Sequence, residues 1–325
     1  MIITQTPFRI SFAGGGTDLP AFYRNEWGAV LSTALKRHMY VTVHTRFEHD
    51  VRVSYSKTEI AREVDAIRHE LVREAMRATG TGPPLEVTTV ADVPAGTGLG
   101  SSSTLTVGLL NALNAHRGRV TGRAELAAEA CRIEIEVLGH PIGKQDQYAA
   151  AYGGINYVRF EPDGTVHVEP VLCAPERRRE IEQHSIMAYT GQRRSASDIL
   201  EKQSAGTGDR MPVLRAMRDI AGAMRDVLGG SAPLTEFGRL LDEGWQLKRS
   251  LGFGIATSDV DAWYAAARAA GAWGGKLLGA GGGGFVYLLA PPERHAAILD
   301  ALGRPQTLPV EFDPAGSRIV FVSDS

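Results

Sequence analysis

An α+β fold in two domains is what this chain of 325 residues predicts, and three observations carry the prediction. Alternating apolar runs and helical runs follow one another without the regular β–α alternation of a doubly wound parallel sheet. A charged stretch from Ala174 to Glu182 breaks the apolar pattern and sets a boundary near residues 170 to 185. Glycine is in excess, 37 residues or about 11% against an ordinary usage of roughly 7%, and gathers in loops between strands and helices.

Taken in order, Ile2 to Ala13, Met39 to Arg46 and Val51 to Tyr55 are β-branched and alternating, hence strands. Glu59 to Ala78 carries apolar residues at helical spacing and predicts a helix, and Leu85 to Val90 a further strand. After a glycine-rich loop, Thr104 to Ala115 and Glu125 to Leu138 predict two helices. Ile155 to Phe160 and Val166 to Val171 form a hairpin around Pro162-Asp-Gly164. Past the boundary, a strand at Ser185 to Tyr189 precedes helices at Ser195 to Gln203, Pro212 to Leu228, Leu234 to Leu251 and Asp259 to Ala270. Strands at Phe285 to Leu289, Thr307 to Phe312 and Arg318 to Val322 close the chain. The division is residues 1–175 and 176–325.

Charge narrows the function classes. Lys plus Arg (35) nearly balances Asp plus Glu (37), so no global field exists to gather nucleic acid or an anionic membrane. An anionic ligand must be held locally. Cys131 and Cys173 are too few for a disulfide framework or a structural zinc site, and fit a reduced setting as apolar filler. The segment Met1 to Pro7 lacks the basic and apolar regions of a signal peptide, and no run of about 18 apolar residues occurs. The expectation is a soluble, cytoplasmic protein with no nucleic-acid or membrane partner.

The loop Pro94-Ala-Gly-Thr-Gly-Leu-Gly-Ser-Ser-Ser103 lies between a strand and a helix. Gly96, Gly98 and Gly100 let backbone N–H groups converge, and the helix beginning at Ser101 turns its positive end to the same point. That suits a phosphate, though a turn with a serine cap would read alike. The loop is neither a P-loop, since no lysine follows it, nor a Rossmann fingerprint, whose glycine spacing differs. The signatures of protein kinases are absent as well.

This segment resembles the ATP-binding loop of the galactokinase, homoserine kinase, mevalonate kinase and phosphomevalonate kinase (GHMP) superfamily. Two other stretches resemble the superfamily's remaining motifs: Pro7-Phe-Arg-Ile-Ser-Phe-Ala-Gly-Gly-Gly-Thr-Asp-Leu19 near the start and Gly274-Gly-Lys-Leu-Leu-Gly-Ala-Gly-Gly-Gly-Gly284 near the end. The resemblance implies a ribosomal protein S5 domain 2-like N-terminal domain and a ferredoxin-like C-terminal domain, with the active site in the cleft between them. It implies ATP and Mg²⁺ as cofactors. ATP would be held by Pro94, Gly96, Gly98, Leu99, Gly100, Ser101, Ser102 and Ser103, and the metal by Ser102 and Glu134. Asp146 matches the catalytic Asp and Arg9 the arginine beside it. On their own, Glu134 and Asp146 read equally as a solvated helix-end charge and a turn residue.

Galactokinases carry an Arg and an Asp at the spacing of Arg9 and Asp18, but have an acidic residue and a histidine where this chain has Gly15 and Gly16. A different sugar is implied. Three stretches, Phe8 to Leu19, Gly143-Lys-Gln-Asp-Gln-Tyr148 and Thr190 to Leu200, resemble the kinases of D-glycero-D-manno-heptose 7-phosphate, which phosphorylate the anomeric hydroxyl for nucleotide-sugar synthesis. The substrate contacts so implied are Gly14, Gly15, Gly16, Thr17, Asp18, Lys144, Gly191, Arg193, Arg194, Gly282 and Gly283. Arg194 leads as the group for the remote phosphate. Octose 8-phosphate kinases have similar motifs, and a sensing regulator without turnover or a kinase of mevalonate or homoserine are rival readings. The partner is a small-molecule sugar phosphate, and the oligomeric state is monomer or homodimer. Seventeen of the 37 glycines fall within the motifs and their flanking turns.

Overall fold

The computed structural model describes residues 1–192, 197–252 and 254–323. The first half is built on strands β1 (Ile2–Ala13), β2 (Gly28–His44), β3 (Val51–Ser54), β4 (Thr58–Ala61) and β5 (Leu85–Ala91), followed by the hairpin β6 (Ile155–Phe160) and β7 (Val166–Pro170). Helices α1 (Pro20–Tyr23), α2 (Glu70–Thr79), α3 (Ser101–His116), α4 (Arg123–Cys131) and α5 (Gln145–Tyr152) belong with them. The second half comprises α6 (Pro175–His184), β8 (Ser185–Tyr189), α7 (Ser197–Ala205), α8 (Thr207–Gly229), α9 (Leu234–Ser250) and α10 (Ser258–Ala269). It ends with β9 (Gly274–Leu277), β10 (Phe285–Leu289), α11 (His295–Ala301) and β11 (Arg318–Val322).

The larger sheet runs β11-β1-β2-β5-β3-β4, with β6 on β2 and β7 on β6. At 17 residues, β2 is long enough to pair with β6 through its first half and β5 through its second. Bulges shift the register of β1 against β2 between Pro7 and Arg9 and again between Ser11 and Ala13. β11 pairs only with Ile2 to Gln5. The edge of β1 beyond them is therefore open where Arg9 N donates to Leu99 O at 3.2 Å, bringing the glycine-rich loop onto the strand. Helix α3 is buried from Ser103 to Asn114, as its apolar composition requires. Gly108 lets it approach the sheet closely enough for Thr4 Oγ1 to donate to the Gly108 carbonyl at 3.0 Å.

The smaller sheet has the order β8-β10-β9, all antiparallel. Thr307 makes an isolated bridge with Ala188 on the free side of β8. The second half thus has a ferredoxin-like βαββαβ order whose fourth strand is reduced to one bridge.

Several expected elements differ. Glu59 to Ala78 is not one helix: Thr58–Ala61 pairs with β3 as a strand, and the helix starts only at Glu70. The apolar spacing of Ile60, Ala61, Val64 and Ile67 fits both periods, and an available strand partner decides. Thr307 to Phe312 makes only the bridges of Thr307 to Ala188 and Phe312 to Leu35, because its two ends reach different sheets. The charged stretch after the hairpin is helix α6, with Pro175 at its start and Ile181 alone buried. Gln145 to Tyr152, which has no expected helix, forms α5. β11, although last in the chain, sits in the sheet of the first half.

Candidate active site

The loop after β5 brings the glycines where the sequence places them. Gly96, Gly98 and Gly100 have φ of 77°, 83° and 80°, and Gly100 caps α3 without a side chain taking part. The first N–H groups of α3 are thus left for a ligand, at the positive end of its dipole. Ser101 and Ser102 line the cleft there, while Leu99 and Ser103 are buried beneath. Pro94 anchors the loop by accepting from Thr97 Oγ1 at 2.9 Å.

The C-terminal glycine loop packs on this one. A Cβ on Gly98 would stand 2.5 Å from Leu278 O, and one on Gly279 would stand 2.6 Å from Gly98 Cα, so each position needs glycine for the other. Phe285 N donates to Thr97 O at 3.3 Å across the same contact. The two halves of the chain therefore meet at the loop.

Asp146 lies in the first turn of α5, gripped by Arg9 at two points: Nε donates to Oδ1 and Nη2 to Oδ2, each at 2.8 Å. The third arm of the guanidinium donates to Gly98 O at 2.6 Å. Arg9 is 4% exposed, whereas the Asp146 side chain keeps 22%. A carboxylate accepts about four hydrogen bonds, so both Asp146 oxygens retain a lone pair toward the cleft. The glycine loop is adjacent, since a Cβ on Gly100 would lie 3.2 Å from Asp146 Oδ2.

Asp18 ties the first motif to α5. Its Oδ1 accepts from Gly16 N at 2.8 Å, and Oδ2 from Gln145 Nε2 at 3.0 Å and Gln145 N at 3.3 Å. Burial raises its pKa, opposed by the Gly16 N–H and reinforced by the charge of Asp146. Thr17 holds the turn from within by donating to Gly14 O at 2.7 Å.

Glu134 lies in a π-helical turn, Arg132–Val137, that continues α4. The wider turn directs Glu134 inward while Glu136 stays exposed. Burial pushes the Glu134 carboxyl up to about 7, against the Ser102 hydroxyl, Gln147 and Ser103, which favour the ion. Gln147 Nε2 donates to Oε2 at 2.7 Å, and Oε1 has no partner.

Arg9, Gly15, Gly16, Asp18, Ser102 and Asp146 border a cavity of about 390 Å³, whereas Glu134 is fully buried and not among its lining residues. Lys144 is not among its lining residues; it donates to Gly164 O at 2.8 Å and lies over the Tyr23 ring. Gly191, Gly282 and Gly283 also lie off the wall, Gly282 donating to Ile255 O and Gly283 packing on Gln192. Arg193 and Arg194 lie outside the described residues.

Sequence reasoning missed several polar wall residues. Lys248 on α9 donates to Gly279 O at 2.7 Å, and burial beside Arg9 lowers its pKa to about 8. Lys276 on β9 donates to Ser11 O at 2.7 Å and Phe12 O at 3.1 Å, carbonyls at the second bulge of β1, and burial depresses its pKa. Ser11, Gln145 and Gln203 are also on the wall. Lys276 stands inside the C-terminal glycine motif, Ser11 inside the first motif and Gln145 beside Asp146, so these three were findable, whereas Lys248 and Gln203 carry no local signal.

Residues 66–154 match the family described as GHMP kinases N terminal domain, and residues 231–305 match GHMP kinases C terminal. The chain is 30% identical to the D-glycero-alpha-D-manno-heptose 7-phosphate kinase of Campylobacter jejuni, over 96% of both chains. It is 29% identical to a mevalonate kinase of Thermococcus onnurineus, over 72% of this chain and 67% of the relative. A crystal structure of a D-glycero-D-manno-heptose 1-phosphate kinase from Bacteroides thetaiotaomicron superposes with a TM-score of 0.82 over the full length of both, at 24% identity. That last likeness concerns the fold.

Proposed function

The chain belongs to the GHMP kinases, and from that membership we propose that it transfers the γ-phosphoryl group of ATP to the anomeric C1 hydroxyl of D-glycero-D-manno-heptose 7-phosphate, giving the 1,7-bisphosphate. The observation that carries the reading is the placement of Asp146, clamped by Arg9, at the side of the glycine loop and one residue from the Gln145 that holds Asp18. Likeness to the heptose 7-phosphate kinase over 96% of both chains supports the choice of sugar.

Phosphoryl transfer asks a protein for positioning and charge stabilisation more than for covalent chemistry. The loop N–H groups and the start of α3 would hold the β- and γ-phosphates. Asp146 would accept the C1 hydroxyl proton as that oxygen bonds to the γ-phosphorus and the bond to the β-phosphate oxygen breaks, releasing ADP. Arg9 would fix the carboxylate and, through Gly98 O, the loop beside it. The partnerless Glu134 Oε1 next to Ser102 fits Mg²⁺, a hard cation that takes few protein oxygens and keeps its waters. Ser102 and Glu134 would hold it, and it would neutralise charge on the phosphates.

The enzyme so read works in the cytoplasm on small molecules, as monomer or homodimer. No helix among the described residues is long and apolar enough to cross a membrane. ADP formation against heptose 7-phosphate, octose 8-phosphate, galactose, fucose and mevalonate tests the proposal. Heptose 7-phosphate should give the highest kcat/KM; a preference for mevalonate or free galactose overturns the reading.

A further inference from the structure

The cleft wall beside Gly15 and Gly16 carries polar atoms without partners, and they come from three separate elements. Ser11 Oγ on β1, Gln145 Oε1 on α5 and Gln203 Nε2 on α7 are buried and unpaired. All three residues line the cavity with Gly15, Gly16 and Asp18. Their convergence is local: a Cβ on Gly15 would lie 3.5 Å from Gln145 Nε2 and 3.8 Å from Ser11 Oγ, and one on Gly16 would collide with the Gln203 amide. The absence of side chains at both glycines is what opens the wall to groups arriving from elsewhere.

Buried polar atoms are ordinarily paired, at a penalty for each that is not. Three unpaired atoms on one wall mark a place where a ligand supplies the partners. Their chemistry limits that ligand. Gln145 Nε2 donates to Asp18 Oδ2 at 3.0 Å, which leaves Oε1 as an acceptor. The Gln203 amide offers N–H groups, and the Ser11 hydroxyl either gives or takes. Ser11 and Gln203 are 5% and 2% exposed, so they are held in place before the ligand arrives. All three groups are neutral, and they alternate in polarity. A hydroxyl, which donates one hydrogen bond and accepts others, answers such a set; a phosphate or an apolar chain does not.

We propose that Ser11, Gln145 and Gln203 form the subsite that reads the ring hydroxyls of the acceptor and selects a polyhydroxylated substrate. The proposal rests on the sugar-kinase reading and deepens it. Ser11 and Gln145 belong to the first half of the chain and Gln203 to the second, so acceptor recognition spans the cleft as the two glycine loops do. A site built to bond a hydroxyl discriminates strongly against an analogue lacking it, because its own polar groups are then left unpaired.

Steady-state kinetics of Gln203→Leu and Ser11→Ala with heptose 7-phosphate test this, each beside its deoxy analogues. Both variants should raise the sugar KM roughly tenfold or more, with the ATP KM and melting temperature near the parent values. The penalty of Gln203→Leu should shrink toward unity on the deoxy sugar that lacks the hydroxyl it contacts, an effect a merely structural residue does not produce. A sugar KM changed less than about twofold in both variants, or an equal penalty on every deoxy analogue, overturns the subsite while leaving the kinase reading intact. A parent enzyme that makes no ADP with any sugar phosphate overturns that reading, and the subsite with it.

Discussion

Asp146 on the cleft wall and the buried Glu134 beside Ser102 are two carboxylates in opposite surroundings, and their expected behaviour differs accordingly. Asp146 is bonded twice by Arg9 and partly open, as a proton acceptor has to be. Asp146→Asn keeps the shape and loses the base, so kcat should fall by about 10²–10⁴ with the ATP KM little changed. Turnover near that of the parent would remove the general-base role. Glu134 is fully buried with a folded pKa raised from 4.5 to about 7. A carboxyl whose pKa rises on folding stabilises the protein fully below its unfolded value, and that contribution is lost as pH rises through about 7. Without metal, stability should therefore decline between roughly pH 4.5 and 7 by on the order of 3 kcal/mol from this group, and Glu134→Gln should flatten the decline. Melting curves across that range decide it. Lys248 runs the other way. Its pKa is lowered to about 8 from 10.5, so its contribution improves as pH rises between those values, and Lys248→Met should abolish that rise.

Glycines act here as parts of elements. Gly98→Ala places a methyl 2.5 Å from Leu278 O at a φ of 83°, so it should destabilise the fold by about 1–3 kcal/mol and raise the ATP KM by separating the two loops. Gly208→Ala is the control, because it lies in α8 with nothing within 4 Å of the new Cβ and should stabilise by up to about 1 kcal/mol. Equal effects of the two changes would show that loop contact does not matter. The elements themselves were legible wherever one period dominated: α3, the hairpin β6–β7, α9 and α10 lie near their expected bounds, whereas α8 starts at Thr207 and runs through the expected start, Pro212. They were not legible where a short segment fits both periods, as at Ile60 to Ile67, or where a helix is apolar on no clear face, as in α5. The π-helical turn at Glu134 has no sequence signature either, since it differs from an α-helix only in which carbonyl each N–H finds.

At the scale of the molecule, the cleft is made by contacts between residues far apart in the chain. The motif residues Arg9, Asp18, Gly98, Ser102, Glu134 and Asp146 could be found because each stands in a recognisable local string. Lys248 and Gln203 could not, because only the packing of α9 and α7 around the loop brings them to it. The return of β11 to β1 is of the same kind, a pairing across the whole length of the chain. Because loops from both halves interlock at Gly98 and Gly279, nucleotide binding should stabilise them as one unit and raise a single melting transition. Two separating transitions on adding ATP would argue against the interlock. The central claim concerns where the phosphoryl group goes, and the phosphorus-31 spectrum of the product answers it. The account predicts a second phosphorus resonance coupled to the anomeric proton beside the retained 7-phosphate. A second phosphate on any other carbon, or none at all, would contradict it.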